Sequence, residues 1–303
     1  LKNLGLIVID EEHSDTYHQD DNPRYNAIDM AKFRSTYNKC PLVLGSATPT
    51  LESMARAKKN VYKLIEMPHR INNQMLPQIK IVDMVQEMKK RRTVISEILE
   101  EKILDRLAKK EQIILLLNRR GFSTIVTCQN CGNTFKCPHC DITLTYHKTS
   151  KTLRCHYCGY TLPLPSVCPE CHEDSLNYLG LGTEKLEETL NKMFNTARIV
   201  RMDVDTTSNK GGHEKIIEAF KNHEYDILLG TQMIAKGLDF PLVTLVGVIN
   251  ADTSLNIPDF RSGEKTFDLL YQVAGRAGRS EKAGNVIIQT FNPDNEYLEF
   301  VKE

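Results

Sequence analysis

The sequence predicts an α/β fold, a mainly parallel, doubly wound sheet interrupted by a small cysteine-rich module. Three observations carry that reading. Short apolar runs rich in Ile, Val and Leu recur along the chain, and segments of helical period lie between them. Eight of the nine cysteines fall in four Cys-x-x-Cys pairs within residues 128–171. The 303 residues are 41% apolar, enough for packed cores, and at roughly 100–200 residues per domain they make about two domains. Trp is absent and aromatics are 7%, so the cores rest on aliphatic side chains.

The elements follow in order. Leu6–Asp10 reads as a short buried strand, Ala27–Arg34 as a short helix and Leu42–Leu44 as a second strand ending in Gly45-Ser46-Ala47-Thr48-Pro49. Leu51–Lys58 continues as helix, with Leu51, Met54 and Ala55 on one face and Pro49 near its start. Met67–Arg92 has the features of a connector: Pro68 and Pro77 interrupt it, and it ends in the basic run Lys89–Arg92. Val94–Leu107 is predicted as an amphipathic helix through Val94, Ile95, Ile98, Leu99, Ile103, Leu104 and Leu107. Strands are predicted at Ile113–Leu117, Ile199–Met202, Ile227–Leu229, Val243–Ile249 and Val286–Gln289, and helices at Lys185–Phe194, Glu214–Lys221 and Phe267–Ala274.

The 39 basic and 39 acidic residues cancel, which decides nothing, because a nucleic-acid protein needs a local basic face rather than a basic total. No apolar run approaches the ~18–20 residues of a membrane span, and there is no signal-peptide pattern. The opening run from Leu1 to Asp10 reads as a strand entered midway, so the chain is expected to be part of a longer protein.

Knuckle-spaced cysteines without a secretion signal favour metal over disulfides. Two knuckles supply the four thiolates of a tetrahedral zinc site, so Cys128/Cys131, Cys137/Cys140, Cys155/Cys158 and Cys168/Cys171 imply two sites. The spacer 132–136 is short, whereas 141–154 accommodates a hairpin that brings the second and third knuckles together. That nests Cys137, Cys140, Cys155 and Cys158 inside Cys128, Cys131, Cys168 and Cys171; adjacent pairing is the alternative. Sites with four protein ligands are structural rather than catalytic. His139, His147, His156 and His172 read as surface or supporting residues rather than ligands. Lys136, Lys148, Lys151 and Arg154 either meet DNA phosphates or offset the charge of two tetrathiolate sites.

Asp10-Glu11-Glu12-His13 follows the first strand. One carboxylate at a strand end can hold Mg²⁺ beside nucleotide phosphates, and its neighbour can orient or deprotonate a water. Gly45–Thr48, Gly230-Thr231-Gln232-Met233, Lys236-Gly237-Leu238-Asp239 and the late Gln272–Arg279 follow in order. Arg276 and Arg279, three apart on a glycine-rich turn, suit a γ-phosphate with developing charge.

This ordered set resembles motifs II, III, V and VI of superfamily 2 helicases. The stretch from Tyr17 to Tyr25, Leu117-Asn118-Arg119-Arg120-Gly121 before the cysteines, Gly180–Glu184 after them, and Asp203–Thr207 resemble the bacterial primosomal replication-restart helicases within that superfamily. The resemblance implies RecA-like lobes: the remnant of a first lobe at residues 1–67, the start of a second at 68–127, a two-zinc insertion at 128–176 and the remainder of the second lobe at 177–303. It implies nested zinc pairing, in agreement with the spacer argument. It implies catalytic roles for Asp10, Glu11, Arg276 and Arg279, and nucleotide contacts for Glu12, His13, Gly237, Asp239 and Gln272. Tyr17, Tyr25, Ser46, Thr48, Arg119, Arg120 and Thr231 would couple to DNA, with His13 also linking the nucleotide site to Ser46 and Thr48. The implied function is ATP-dependent 3′-to-5′ unwinding at stalled or branched forks and replication restart by primosome assembly. The implied cofactors are two Zn²⁺, with ATP and Mg²⁺ in the complete protein. The implied partners are forked and single-stranded DNA, primosome proteins and single-strand-binding proteins, in the cytoplasm at the nucleoid and away from membranes.

No Gly-x-x-x-x-Gly-Lys-[Ser/Thr] loop occurs in the sequence, and such a motor cradles its β- and γ-phosphates with that loop. The chain alone is therefore expected to lack useful ATP hydrolysis. The alternative is a zinc-stabilised module that binds DNA or a partner without chemistry of its own.

Overall fold

A computed structural model describes residues 3–68, 76–91, 93–117, 124–177, 182–207, 211–235, 240–278 and 284–302. Contacts divide the chain into two units, Leu1–Arg70 and Ile71–Glu303.

The first unit holds β1 (Ile7–Ile9), β2 (His18–Gln19), β3 (Tyr25–Asn26), α1 (Ala27–Asn38), β4 (Leu42–Leu44) and α2 (Leu51–Lys58). β1 and β4 pair in parallel, Val8 opposite Val43, and β2 and β3 form a small antiparallel ribbon. Asn26 caps α1 by accepting from the amides of Ile28 and Asp29, and α1 runs past its predicted end at Arg34 to a left-handed Lys39. The first strand is not buried as expected: Leu6, Val8 and Val43 are exposed, because the described part of the β1–β4 sheet has two strands and cannot cover both its faces.

The second unit is built on six parallel strands in the order β13-β14-β6-β15-β16-β5. These are β5 (Gln78–Asp83), β6 (Gln112–Leu116), β13 (Ile199–Met202), β14 (Ile227–Gly230), β15 (Val243–Val248) and β16 (Asn285–Thr290). The central strands are buried throughout and mostly apolar because both faces are covered. On one face α4 (Glu97–Ala108) and α5 (Thr183–Met193) pack Leu99, Ile103, Leu186 and Leu190 against Ile113, Leu115, Leu229 and Leu245. On the other, α7 (Gly212–Lys221), α9 (Ser262–Ala274) and α10 (Glu296–Lys302) bring Phe220, Leu270, Val273, Leu298 and Val301 onto Ile114, Leu116, Val246 and Ile288. This is the doubly wound architecture expected from the alternation, in keeping with the RecA-like lobe that the resemblance implies. Short α6 (Val204–Thr207) and α8 (Asp252–Leu255) follow β13 and β15, and α3 (Met84–Arg91) follows β5.

Two expectations are corrected. The segment 67–92 is not merely a connector: it holds β5, which pairs along its length with β16, and α3, whose last turn carries Lys89, Lys90 and Arg91. β5 is an edge strand with alternating burial, so its sequence lacks the continuous apolar run of its neighbours. The helix predicted from Val94 begins at Glu97, because Ser96 caps it through the Leu99 amide and ends the helical run there; Ile95 is nonetheless fully buried.

One buried side chain holds these parts together. Gln289 donates to the carbonyls of Val94 at 2.8 Å and Ile249 at 3.0 Å and accepts from the Ser96 amide at 2.8 Å. Gln289→Leu strands all three backbone groups without a compensating bond. A loss of about 3 kcal/mol is expected in urea unfolding, at about 1–3 kcal/mol per buried unsatisfied group.

The cysteine module is a further small fold within the second unit. Its strands are β7 (Thr124–Ile125), β8 (Thr127–Cys128), β9 (Thr145–His147), β10 (Thr152–Arg154), β11 (Thr161–Pro163) and β12 (Leu176–Asn177). The sheet β11-β10-β9-β7 is antiparallel, and β12 pairs with β8 so that the two ends of the module meet, Leu176 opposite Cys128. Its core, Val126, Phe135, Ile142, Leu144 and Leu153, is separate from both faces of the large sheet.

Candidate metal centre and nucleotide-motor residues

The four knuckles repeat one backbone pattern. The carbonyl of each first cysteine accepts the amide four residues on: Gly132 from Cys128, Asp141 from Cys137, Gly159 from Cys155 and His172 from Cys168. The amide of each first cysteine donates onward, to Asn133, Ile142, Tyr160 and Glu173 respectively. The turn needs a left-handed residue directly after the second cysteine. Gly132, Asp141, Gly159 and His172 supply it with φ of 76°, 52°, 79° and 62°. In the sequence this requirement leaves a trace only as Gly at two of the four positions. It gives His172 a backbone task and no place among the ligands.

The sulfurs gather in two groups, Cys128/Cys131/Cys168/Cys171 and Cys137/Cys140/Cys155/Cys158, each with its sulfurs within 4.8 Å of one another. This is the nested arrangement. Within the groups, Cys128 lies 3.6 Å from Cys171, Cys131 3.6 Å from Cys168, and Cys137 3.5 Å from Cys158. A tetrahedron with Zn–S bonds of about 2.3 Å has edges of roughly 3.8 Å, so both groups fit zinc. With four thiols each, they leave no ligand position open and are structural sites. Burial pushes the Cys131 thiol up to about 12, whereas hydrogen bonds from Asn130 and the Glu173 amide bring Cys171 down to about 6. The outer group also has Ser175 Oγ at 3.0 Å from Cys128 Sγ and Asn133 donating to Cys168. In the inner group Cys158 is exposed.

The outer site also seats the module on the sheet. A Cβ at Gly132 would lie 2.5 Å from the carbonyl oxygen of Phe291, just beyond β16. Asp252 fixes that strand end: its carboxylate is buried, accepts from Thr290 Oγ1 at 2.9 Å and the Phe291 amide at 2.7 Å, and burial raises its pKa. Gly132→Ala therefore meets both a left-handed backbone and a carbonyl. Destabilisation of roughly 2 kcal/mol or more is expected, read as a lower melting temperature of the metal-loaded chain.

The acidic turn after β1 is compact. Asp10 Oδ1 accepts the Glu11 amide at 3.0 Å, and Glu11 has a left-handed φ of 50°. The Glu11 side chain is 51% exposed and lies 3.6 Å from His13 Nδ1. His13 Nδ1 pairs with Ser46 Oγ at 2.7 Å, and Ser46 Oγ accepts the Thr48 amide at 3.0 Å. Tyr17 donates its hydroxyl to the Asp10 carbonyl at 2.6 Å, and Tyr25, half exposed, lies in the β2–β3 ribbon. Glu12, expected beside the nucleotide, is buried against the start of α2.

In the second unit, Thr231 follows β14, and its amide donates to the Met202 carbonyl at 3.4 Å. Gln272 lies on α9, and Arg276, 8% exposed, follows that helix. Asp203, at the end of β13, accepts from Thr183 Oγ1 at 2.8 Å; burial opposes its ionisation, but the Thr206 amide, Thr183 and Arg201 hold its pKa low. Thr231 and Asp203 lie at the carboxyl ends of β14 and β13, where open α/β sheets bind ligands, whereas the turn that carries Arg276 lies beside the amino end of β15, the Gly278 amide donating to the Val243 carbonyl. Arg119, Arg120, Gly237, Asp239 and Arg279 lie outside the described residues.

A family model described as the PriA DNA helicase Cys-rich region (CRR) domain matches residues 137–163, and one described as the helicase conserved C-terminal domain matches 177–281. The replication restart protein PriA of Bacillus subtilis is 54% identical over all of this chain. The chain belongs to the PriA family. PriA relatives from Synechocystis and Rickettsia felis are 44% and 45% identical, again over the whole chain. The chain spans 38% of the Bacillus and Synechocystis PriA proteins and 47% of the Rickettsia one. A solved structure of RecG bound to a three-way DNA junction aligns with all of this chain and 28% of its own at 17% identity, with a TM-score of 0.49. Among the described residues no helix is long and apolar enough to cross a membrane.

Proposed function

We propose that this chain is the coupling and zinc-bearing part of an ATP-dependent 3′-to-5′ DNA helicase. The whole protein would bind stalled or branched replication forks and restart replication by assembling a primosome. The observation that carries the proposal is the match to PriA over the full chain, coupled to an acidic turn wired to the following motif through His13 and Ser46. In this reading Asp10 would hold Mg²⁺ and Glu11 would take a proton from the attacking water. Arg276 and Arg279 would reach the phosphates, with His13, Gly237, Asp239 and Gln272 lining the nucleotide. Bound ATP and Mg²⁺ supply the phosphoryl group and its charge neutralisation. Ser46, Thr48, Thr231, Tyr17, Tyr25, Arg119 and Arg120 would relay to DNA, and both cysteine groups would carry Zn²⁺. The partners would be forked and single-stranded DNA, primosome proteins and single-strand-binding proteins, and the place the bacterial cytoplasm. For the chain taken alone, the missing phosphate loop favours a zinc-stabilised binding module without ATPase activity.

Strand displacement tests polarity. On partial duplexes of either overhang, the full-length protein with ATP is expected to release the strand only when it loads on the 3′ overhang. Release from the 5′ overhang alone contradicts the proposal.

A further inference from the structure

Glu12 is the acidic residue of the turn that faces away from solvent, 3% exposed beside the open Glu11. Its Oε1 accepts the Thr50 amide at 2.7 Å and the Thr50 hydroxyl at 3.2 Å, and its Oε2 accepts Ser53 Oγ at 3.1 Å. Thr50 is the N-cap of α2, and its own hydroxyl accepts the Ser53 amide at 3.2 Å. The carboxylate therefore sits on the positive end of a helix and satisfies donors the helix leaves open. The other side of the same two-residue step is also tied down: the Glu12 amide donates to the Gly45 carbonyl at 3.0 Å, and His13 pairs with Ser46. Glu12 and His13 thus hold the Gly45–Thr50 segment at its beginning and at its end.

We propose that Glu12 is a positioning residue whose buried carboxylate latches helix α2 to the acidic turn, so that the turn and the Gly45–Thr50 segment shift as one body. A group placed this way transmits a change at Asp10 and Glu11 to Ser46 and Thr48 without touching nucleotide. The proposal rests on the motor reading above.

The test uses Glu12→Ala and Glu12→Gln in the full-length protein. It reads ATP hydrolysis with and without single-stranded DNA, together with amide hydrogen exchange over residues 44–54. Glu12→Ala is expected to lower the DNA-stimulated ratio roughly tenfold while KM for ATP stays within a factor of about two. Glu12→Gln is expected to recover most of that ratio, because its amide oxygen still accepts from Thr50 and its amide nitrogen can meet Ser53 Oγ. A rise in KM in both variants makes Glu12 a nucleotide or metal ligand and overturns the latch. An unchanged ratio with only a lower melting temperature also overturns it. If the unsubstituted protein shows no DNA-stimulated hydrolysis, the motor reading falls, and exchange decides for Glu12. Faster exchange in Glu12→Ala at both 45–48 and 50–54 supports the latch, and faster exchange confined to α2 contradicts it.

Discussion

Stripping the metal with a strong chelator is expected to unfold residues 128–176 and leave the six-stranded sheet standing. The module has strands of two or three residues and a small core of its own, too little to hold four knuckles without cross-links. Structural Zn²⁺ contributes on the order of 10–16 kcal/mol in small metal-dependent folds. The large sheet has its own cores on both faces and does not draw on the cysteines. Metal analysis should find two zincs per chain, and hydrogen exchange after chelation should rise within the module and stay protected in β6, β14 and β15. The inner zinc should leave first, because Cys158 is exposed while the outer group is backed by Ser175 and Asn133. Cys158→Ser should retain the outer zinc. Collapse of the whole second unit on chelation would contradict this separation.

Replacing Glu11 by Gln in the full-length protein is expected to lower DNA-stimulated ATP hydrolysis about 10²–10⁴-fold, the range for loss of a positioned general base. ATP affinity should change little, since the amide keeps the size and loses only the proton acceptor. The geometry behind the expectation is local. Glu11 is held in a left-handed conformation by the bond from its amide to Asp10, which keeps its carboxylate open to solvent beside His13. Strained backbone of this kind persists where the surroundings over-determine it. Equilibrium ATP binding and single-turnover hydrolysis check the expectation separately. Loss of binding with an unchanged hydrolysis step would move Glu11 from base to ligand.

The central strands β6, β14 and β15 were legible in the sequence because a parallel strand covered on both faces reads as a nearly continuous apolar run. β5 was not, because an edge strand in which Lys80 alternates with Ile79 and Ile81 looks like connector when Pro68 and Pro77 precede it. The start of α4 was misplaced because Val94 and Ile95 extend the apolar stripe past the Ser96 cap; burial and helicity part company there. The cysteine spacing carried the metal centre, and its nested form follows from the hairpin of β9 and β10 between the inner knuckles. Glu12 shows the limit of motif reading. Two adjacent glutamates are equivalent as letters, and only the fold turns one to solvent and the other onto α2.

The most direct test of the motor reading is ATP hydrolysis by this chain and by the upstream-extended protein, each with and without forked DNA. The expected result is DNA-stimulated hydrolysis in the extended protein and none in the chain alone. A folded, zinc-loaded extended protein that hydrolyses no ATP on any fork would contradict the motor reading and leave a DNA- or partner-binding module in its place.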